Sequence, residues 1–129
     1  MTYLDALIIL AAMLQLKHWY IDFVNQTMDE VHSKGIYGDR LGLWHSAKQG
    51  IGTAACIAVL VGPQLEGLVF CVVMGLLDFL IHYHTDWAKI NINKSKNYTV
   101  ETPQFWAWLG ADQLVHQLTY LLILYITFL

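Results

Sequence analysis

Three segments of this chain carry the same chemical pair, an imidazole and a carboxylate four residues apart. They are His18 with Asp22, His82 with Asp86, and Asp112 with His116. Asp78 precedes His82 by four residues, and a further imidazole, His45, is followed by Lys48 and Gln49. On a helix, residues four apart share one face, so each pair aims its nitrogen and oxygen atoms in one direction. Imidazole nitrogen plus carboxylate oxygen is a ligand set suited to zinc, iron or manganese. Helical bundles build metal centres from such inward pairs on facing helices, and a bound divalent ion lowers the pKa of a coordinated water. No Ser/His/Asp elbow, glycine-rich phosphate loop or Cys-x-x-Cys motif competes with this chemistry.

The elements that must position these side chains are apolar. Of the 129 residues, 57% are hydrophobic and only 13% charged, against about 25% charged in a soluble domain. This excess predicts that lipid surrounds much of the chain. Four stretches near the ~20 residues needed to cross a bilayer core are expected as helices over 3–26, 41–61, 65–90 and 103–129, giving an all-α, four-helix integral membrane bundle in one domain. Pro103 suits a first helical turn, and Gly62-Pro63 a tight break. Residues 27–40 and 91–102 read as polar connections. The first stretch reads as a retained membrane helix, because Asp5 replaces a basic start and Lys17-His18-Trp19-Tyr20 follows where a cleavage site would lie. Cys56 and Cys71 lie inside apolar runs and suit membrane-facing or core thiols. The net charge of −3, with no basic block, excludes a nucleic-acid-binding class.

Lys34, Arg40, Lys89, Lys94 and Lys96 belong to the first and third connections or their helix ends, whereas residues 62–64 carry no Lys or Arg. The positive-inside rule therefore predicts those two connections on the cytoplasmic side of a bacterial inner membrane, and both termini outside. Trp44, Trp87, Trp106 and Trp108 fall near that boundary, as an aromatic belt would. At ~1.5 Å of rise per residue, His18, Asp22, His45, His82, Asp86, Asp112 and His116 all fall in the cytoplasmic half. A charged residue at mid-bilayer depth costs roughly 2.5–3.5 kcal/mol on insertion scales. Such groups must therefore meet one another, water or a cation.

Those seven residues are the expected metal ligands, with Gln26, Gln49, Asp78, Lys89 and Gln113 completing a polar core. A proton or ion path, or a structural polar seam, would use the same residues. His84 is out of helical phase with His82 and Asp86 and is left out. His32 is expected on a solvated loop, and Asp5 near the opposite surface. Lys17, Lys48 and Lys89 are expected to snorkel to the interface, where they could also meet headgroup phosphates. Gly50, Gly52, Ala54 and Ala55 suit a close-packing face.

In these motifs the chain resembles a bacterial and phage membrane family known as domain of unknown function 3307. The family pattern runs H-x-x-x-D-F-x-x-Q, an isolated His, H-x-x-x-D-x-x-K, then D-Q-x-x-H. It is matched by His18, Asp22, Phe23 and Gln26, by His45, by His82, Asp86 and Lys89, and by Asp112, Gln113 and His116. The match covers nearly the whole chain in order. Where the family often has a second His four residues after the isolated one, this chain has Gln49. The resemblance names no reaction. A looser similarity to bacterial inner-membrane metal-dependent hydrolases is analogy.

Two functions are compatible with these residues. One is a membrane-embedded metal-dependent hydrolase, zinc being the first expectation and iron or manganese the others, acting on a lipid or other phosphoester at the cytoplasmic leaflet. The alternative is a non-enzymatic phage or bacterial membrane effector, or an ion- or proton-conducting protein with a polar core. A homo-oligomer is compatible with either.

Overall fold

The computed structural model describes all residues, Met1–Leu129, and is all-helical. α1 spans Tyr3–Trp19 and runs into a π-helical turn, Tyr20–Val24. α2 is a short helix, Met28–Ser33. Three long helices follow: α3, Arg40–Val61; α4, Leu65–Lys96; and α5, Pro103–Phe128.

The helix ends follow local chemistry. Thr2 and Thr27 each form a capping box, with Asp5 and Glu30 at the third helical position, which satisfies orphan N–H groups at both starts. The Asp39 side chain caps α3 by accepting from the Leu41 N–H. Gly62, at φ 75°, ends α3, in backbone space that favours glycine. Asn97 ends α4 in the left-handed region.

Two boundaries differ from the sequence expectation. α4 continues to Lys96 rather than stopping near Ile90, because Asn91, Asn93, Lys94, Ser95 and Lys96 are tolerated on a helix that has left its apolar surroundings. The first connection is not irregular throughout, since α2 folds beneath the bundle. The Gly38 N–H donates to Tyr83 Oη (2.6 Å), and Asn91 Nδ2 donates to the Gly35 carbonyl (2.9 Å), tying this segment to α4. Lys48 Nζ lies 2.8 Å from Glu30 Oε1. Burial raises the Glu30 carboxyl, but the Lys48 ammonium and the Thr27 backbone N–H outweigh it and hold the group below its usual value. His32 lies on α2 with its side chain exposed.

α3 and α4 make the tightest pair. A methyl group at Gly50 would lie 2.5 Å from the Gly75 carbonyl oxygen, and one at Gly75 would lie 2.6 Å from that of Gly50. Two backbones meet there because neither residue has a side chain. The Gly52 side of α3 instead receives the Lys17 stem.

The interior divides in two. Towards the chain termini it is apolar, built from Leu10, Leu14, Cys56, Ile57, Cys71, Met74, Tyr120, Ile123 and Leu124. Towards α2 it is polar, and over the whole protein buried polar and charged side chains outnumber buried apolar ones. The exterior is the reverse: Val59 is 69% exposed, Leu121 61%, and Ile8, Val69, Leu76 and Leu118 are all more than half exposed. Two helical spans, Tyr3–Val24 and Leu65–Lys96, are long and apolar enough to cross a membrane.

The Gly50–Gly75 contact generates a test. Gly75→Ala should lower stability in detergent by about 1–3 kcal/mol through overpacking. Gly110→Ala on α5, where an added methyl meets nothing within 4 Å, should be neutral or stabilising by up to about 1 kcal/mol. Equal unfolding midpoints for Gly75→Ala and the parent chain would disprove the close approach.

Candidate metal centre

All seven residues expected as ligands are buried and converge between the helices; His45, His82 and His116 are fully inaccessible. The π turn carries Asp22 beneath His18. π turns recur at functional sites because their extra residue re-aims the side chains around it. α3 supplies His45, α4 supplies His82 and Asp86, and α5 supplies Asp112 and His116.

The tightest convergence joins three helices. His45 Nε2 lies 2.8 Å from Asp22 Oδ1 and 3.3 Å from His82 Nε2. His82 Nε2 lies 3.3 Å from Asp22 Oδ1 and 3.3 Å from Asp86 Oδ2, and His45 Nε2 lies 3.7 Å from the latter. Ligands about 2.1 Å from a zinc ion are separated by roughly 3.0–3.4 Å at octahedral and tetrahedral angles, so these spacings bracket what one ion requires. Three overlapping groups could hold a metal ion, their ligand atoms all lying within 4.8 Å of one another: His18/Asp22/His82, His45/His82/Asp86 and Asp86/Asp112/His116. Together they contain the seven expected residues and no others.

The four imidazoles are not equivalent. His18 is engaged at both nitrogens: Nε2 contacts Gln113 Oε1 (3.0 Å) and Nδ1 contacts the Tyr120 hydroxyl (3.0 Å). His116 is engaged at neither, and Asp112 Oδ1, 3.3 Å from His116 Nε2, also has no hydrogen-bond partner. An unsatisfied buried polar group typically costs about 1–3 kcal/mol. The His116–Asp112 pair thus carries a penalty that a bound cation would relieve.

Lysines enter this centre, where the sequence reading expected snorkelling. Lys89 Nζ lies 2.9 Å from Asp112 Oδ2 and 3.3 Å from Asp86 Oδ1. Lys34, which the sequence places in a polar connection, is buried; its Nζ lies 2.9 Å from Asp86 Oδ2 and donates to Gln26 Oε1 at 2.9 Å. With imidazoles neutral, Asp22, Asp86 and Asp112 face Lys34 and Lys89, leaving an excess of one negative charge that a proton or a cation must offset.

Asp78 belongs to a separate pair one turn away. Its Oδ2 lies 2.6 Å from Lys17 Nζ and accepts from Thr53 Oγ1 at 2.6 Å. Lys17 also donates to Gln49 Oε1 (2.8 Å), which turns Gln49 Nε2 towards Asp22 Oδ1 (2.9 Å). This pair therefore orients Asp22 through Gln49 and offers no ligand itself. His84 stands outside the cluster: its Nδ1 contacts the Leu80 carbonyl (2.7 Å) and its Nε2 contacts the Tyr37 hydroxyl (3.2 Å).

A groove of about 320 Å³ between α4 and α5 reaches the centre from the side. Trp108, His84 and Thr85 line it, together with Lys89 and Asp112. Compared with protein-family profiles, curated proteins and solved structures, the chain matches none.

The Lys17–Asp78 pair generates the second test. Lys17→Met leaves a buried carboxylate without its counterion and should cost about 3–5 kcal/mol. Lys17→Met/Asp78→Leu should recover most of that loss. Denaturant unfolding of the full chain in detergent measures both, and a single-variant loss under about 1 kcal/mol, the range of exposed pairs, would show the pair to be hydrated.

Proposed function

We propose that this protein is a multi-pass protein of the bacterial inner membrane that binds a divalent transition metal, zinc before iron or manganese, in the polar half of a four-helix bundle. Its ligands come from His18, Asp22, His45, His82, Asp86, Asp112 and His116, and it acts as a metal-dependent hydrolase on a phosphoester at the cytoplasmic leaflet. The observation that carries the reading is the approach of His45 Nε2 and His82 Nε2 to 3.3 Å, with Asp22 Oδ1 within 3.3 Å of both. Two imidazoles and a carboxylate aimed at one point form a cation's donor set.

The apolar exterior and the two spans long enough to cross a bilayer support the membrane assignment. The order of the His and Asp motifs supports kinship with the family of unknown function named above. When bound, the ion would polarise a phosphoryl oxygen and lower the pKa of a water. A carboxylate oxygen of Asp22 or Asp86 not taken up by the ion would accept the proton that the attacking water loses. Water adds to phosphorus, the ester P–O bond breaks, and the proton passes to the departing alkoxide. The groove between α4 and α5 joins apolar residues (Ala88, Trp108, Ala111, Val115) to Lys89 and Asp112, which would suit a substrate with a phosphate headgroup and an apolar body. Lys89, at the groove's inner end, would meet the phosphate.

The second reading is a non-enzymatic membrane effector, or a conductor of ions or protons. The Lys34–Asp86, Lys89–Asp112 and Lys17–Asp78 pairs favour it, because lysines already neutralise most of the carboxylates.

Metal content separates the two. Protein purified in detergent should carry stoichiometric transition metal. The content should fall in His82→Ala, Asp86→Ala, His18→Ala and His116→Ala, and stay at the parental level in His84→Ala. It should also fall as pH drops and imidazoles take up protons, because protonated imidazole cannot coordinate. A folded protein free of metal would establish the second reading. For topology, reporter fusions at Leu129 should be active only outside the cytoplasm; activity confined to the cytoplasm would reverse the orientation.

A further inference from the structure

We infer that the centre holds two metal ions rather than one, with Asp86 as the bridging carboxylate. One position is formed by His45 and His82 with Asp22, the other by Asp112 and His116. The inference rests on the metal-binding reading above and adds the number of ions and their arrangement.

Three observations carry it. First, the two oxygens of Asp86 face different partners. Oδ2 lies 3.3 Å from His82 Nε2, whereas Oδ1 lies 3.3 Å from Lys89 Nζ, which in turn sits 2.9 Å from Asp112 Oδ2. Asp86 thus turns one oxygen to His82, where Lys34 also meets it, and the other to the lysine it shares with Asp112, so it stands between the two donor groups. Asp86 also belongs to both candidate groups, His45/His82/Asp86 and Asp86/Asp112/His116.

Second, His116 is fully buried with both ring nitrogens unpartnered, and Asp112 Oδ1 beside it lacks a partner as well. These atoms are not consumed by the first position. They are idle donors that face each other at 3.3 Å, and a single ion among His45, His82 and Asp22 would leave them idle still.

Third, the His82 and His116 rings are stacked, with centroids 4.0 Å apart and planes 19° from parallel. Where the coordinating nitrogens of two such rings point the same way, ions bound in the ring planes are separated by about the stacking distance. Paired metal ions in two-metal hydrolytic centres lie about 3.5–4 Å apart, so the stack sets a spacing a bridging carboxylate can span. Lys89 then serves as an outer partner that orients Asp86 and Asp112, a role that supporting groups commonly play around metal ligands.

The arrangement has a chemical consequence. Two divalent ions set against an excess of one negative charge leave the centre strongly positive. It would favour an anion that can bridge both ions, as the non-ester oxygens of a phosphate monoester can.

The test uses the full chain in detergent and counts ions. Parent protein loaded with zinc and freed of excess by gel filtration should carry two ions per chain by elemental analysis. Asp112→Asn and His116→Gln, both near-isosteric, should each carry one. Loaded with Mn(II) instead, the parent should give the electron paramagnetic resonance spectrum of an exchange-coupled pair, and Asp112→Asn the hyperfine-split signal of an isolated ion. Circular dichroism confirms that the variants remain helical; if either unfolds, the parental count and the Mn(II) spectrum still decide. One ion per parental chain, or an uncoupled Mn(II) signal at full loading, would overturn the two-ion arrangement and leave metal binding standing. No ion at all would overturn both.

Discussion

Ionised side chains cannot be buried singly. That constraint organises the polar half of this bundle, where Asp22, Asp86 and Asp112 lie almost without solvent access between helices whose outer faces are apolar. Each carboxylate must have cationic or hydrogen-bonding neighbours, or it would be too costly to hold there. Helix positions follow from that need. Asp22 reaches His45 and His82 only if α1, α3 and α4 meet at one level, and Asp112 reaches Lys89 only if α5 closes against α4. The polar contacts thus fix how the helices are set, which the non-directional packing of Leu and Val cannot do.

Close approach of the backbones makes the contacts geometrically available. Gly50 and Gly75 bring α3 and α4 together five and seven residues from His45 and His82, and long imidazoles on helices so close must either meet or clash. They meet, Nε2 to Nε2. The apolar cluster on the other side of this contact excludes polar groups and confines the chemistry to one end of the bundle. The Lys17–Asp78 pair marks the border and passes orientation inward through Gln49. A change in the Lys17 ammonium would therefore reach Asp22 without touching it.

Much of this was legible in the residues. The i,i+4 spacing of His18/Asp22, His82/Asp86 and Asp112/His116 carries helical phase directly, so it selects the clustered residues and leaves out His84, which bonds to Leu80 and Tyr37 instead. The apolar stretches locate four long helices to within a few residues, apart from the polar end of α4. The partners of the charges were not legible. Lys34 lies in a connection without periodicity, and nothing local shows that α2 will fold back and bury it. Lys17 and Lys89 sit at helix positions from which a long side chain can reach either the interface or the interior, and only the position of a distant carboxylate decides between them. The Tyr120 hydroxyl meets His18 from 102 residues away, inside what reads as a plain apolar run. The π turn at Tyr20–Val24, which carries the buried Asp22, likewise has no signature in residue types.

The distribution of donors along the chain also sets an order of assembly. Asp22, His45, His82 and Asp86 are contributed by the helices made first, so the donors around His45 and His82 are complete before α5 leaves the ribosome. Asp112 and His116 arrive on the last helix, together with the Tyr120 hydroxyl and Gln113 that engage His18. Until then His18 lacks both of its ring-nitrogen partners, and the interior lies open along the side that α5 will cover. The order of the elements thus puts three long helices in place before the one that covers their polar flank. Closure by α5 is the step that covers that flank and delivers the last of the donors.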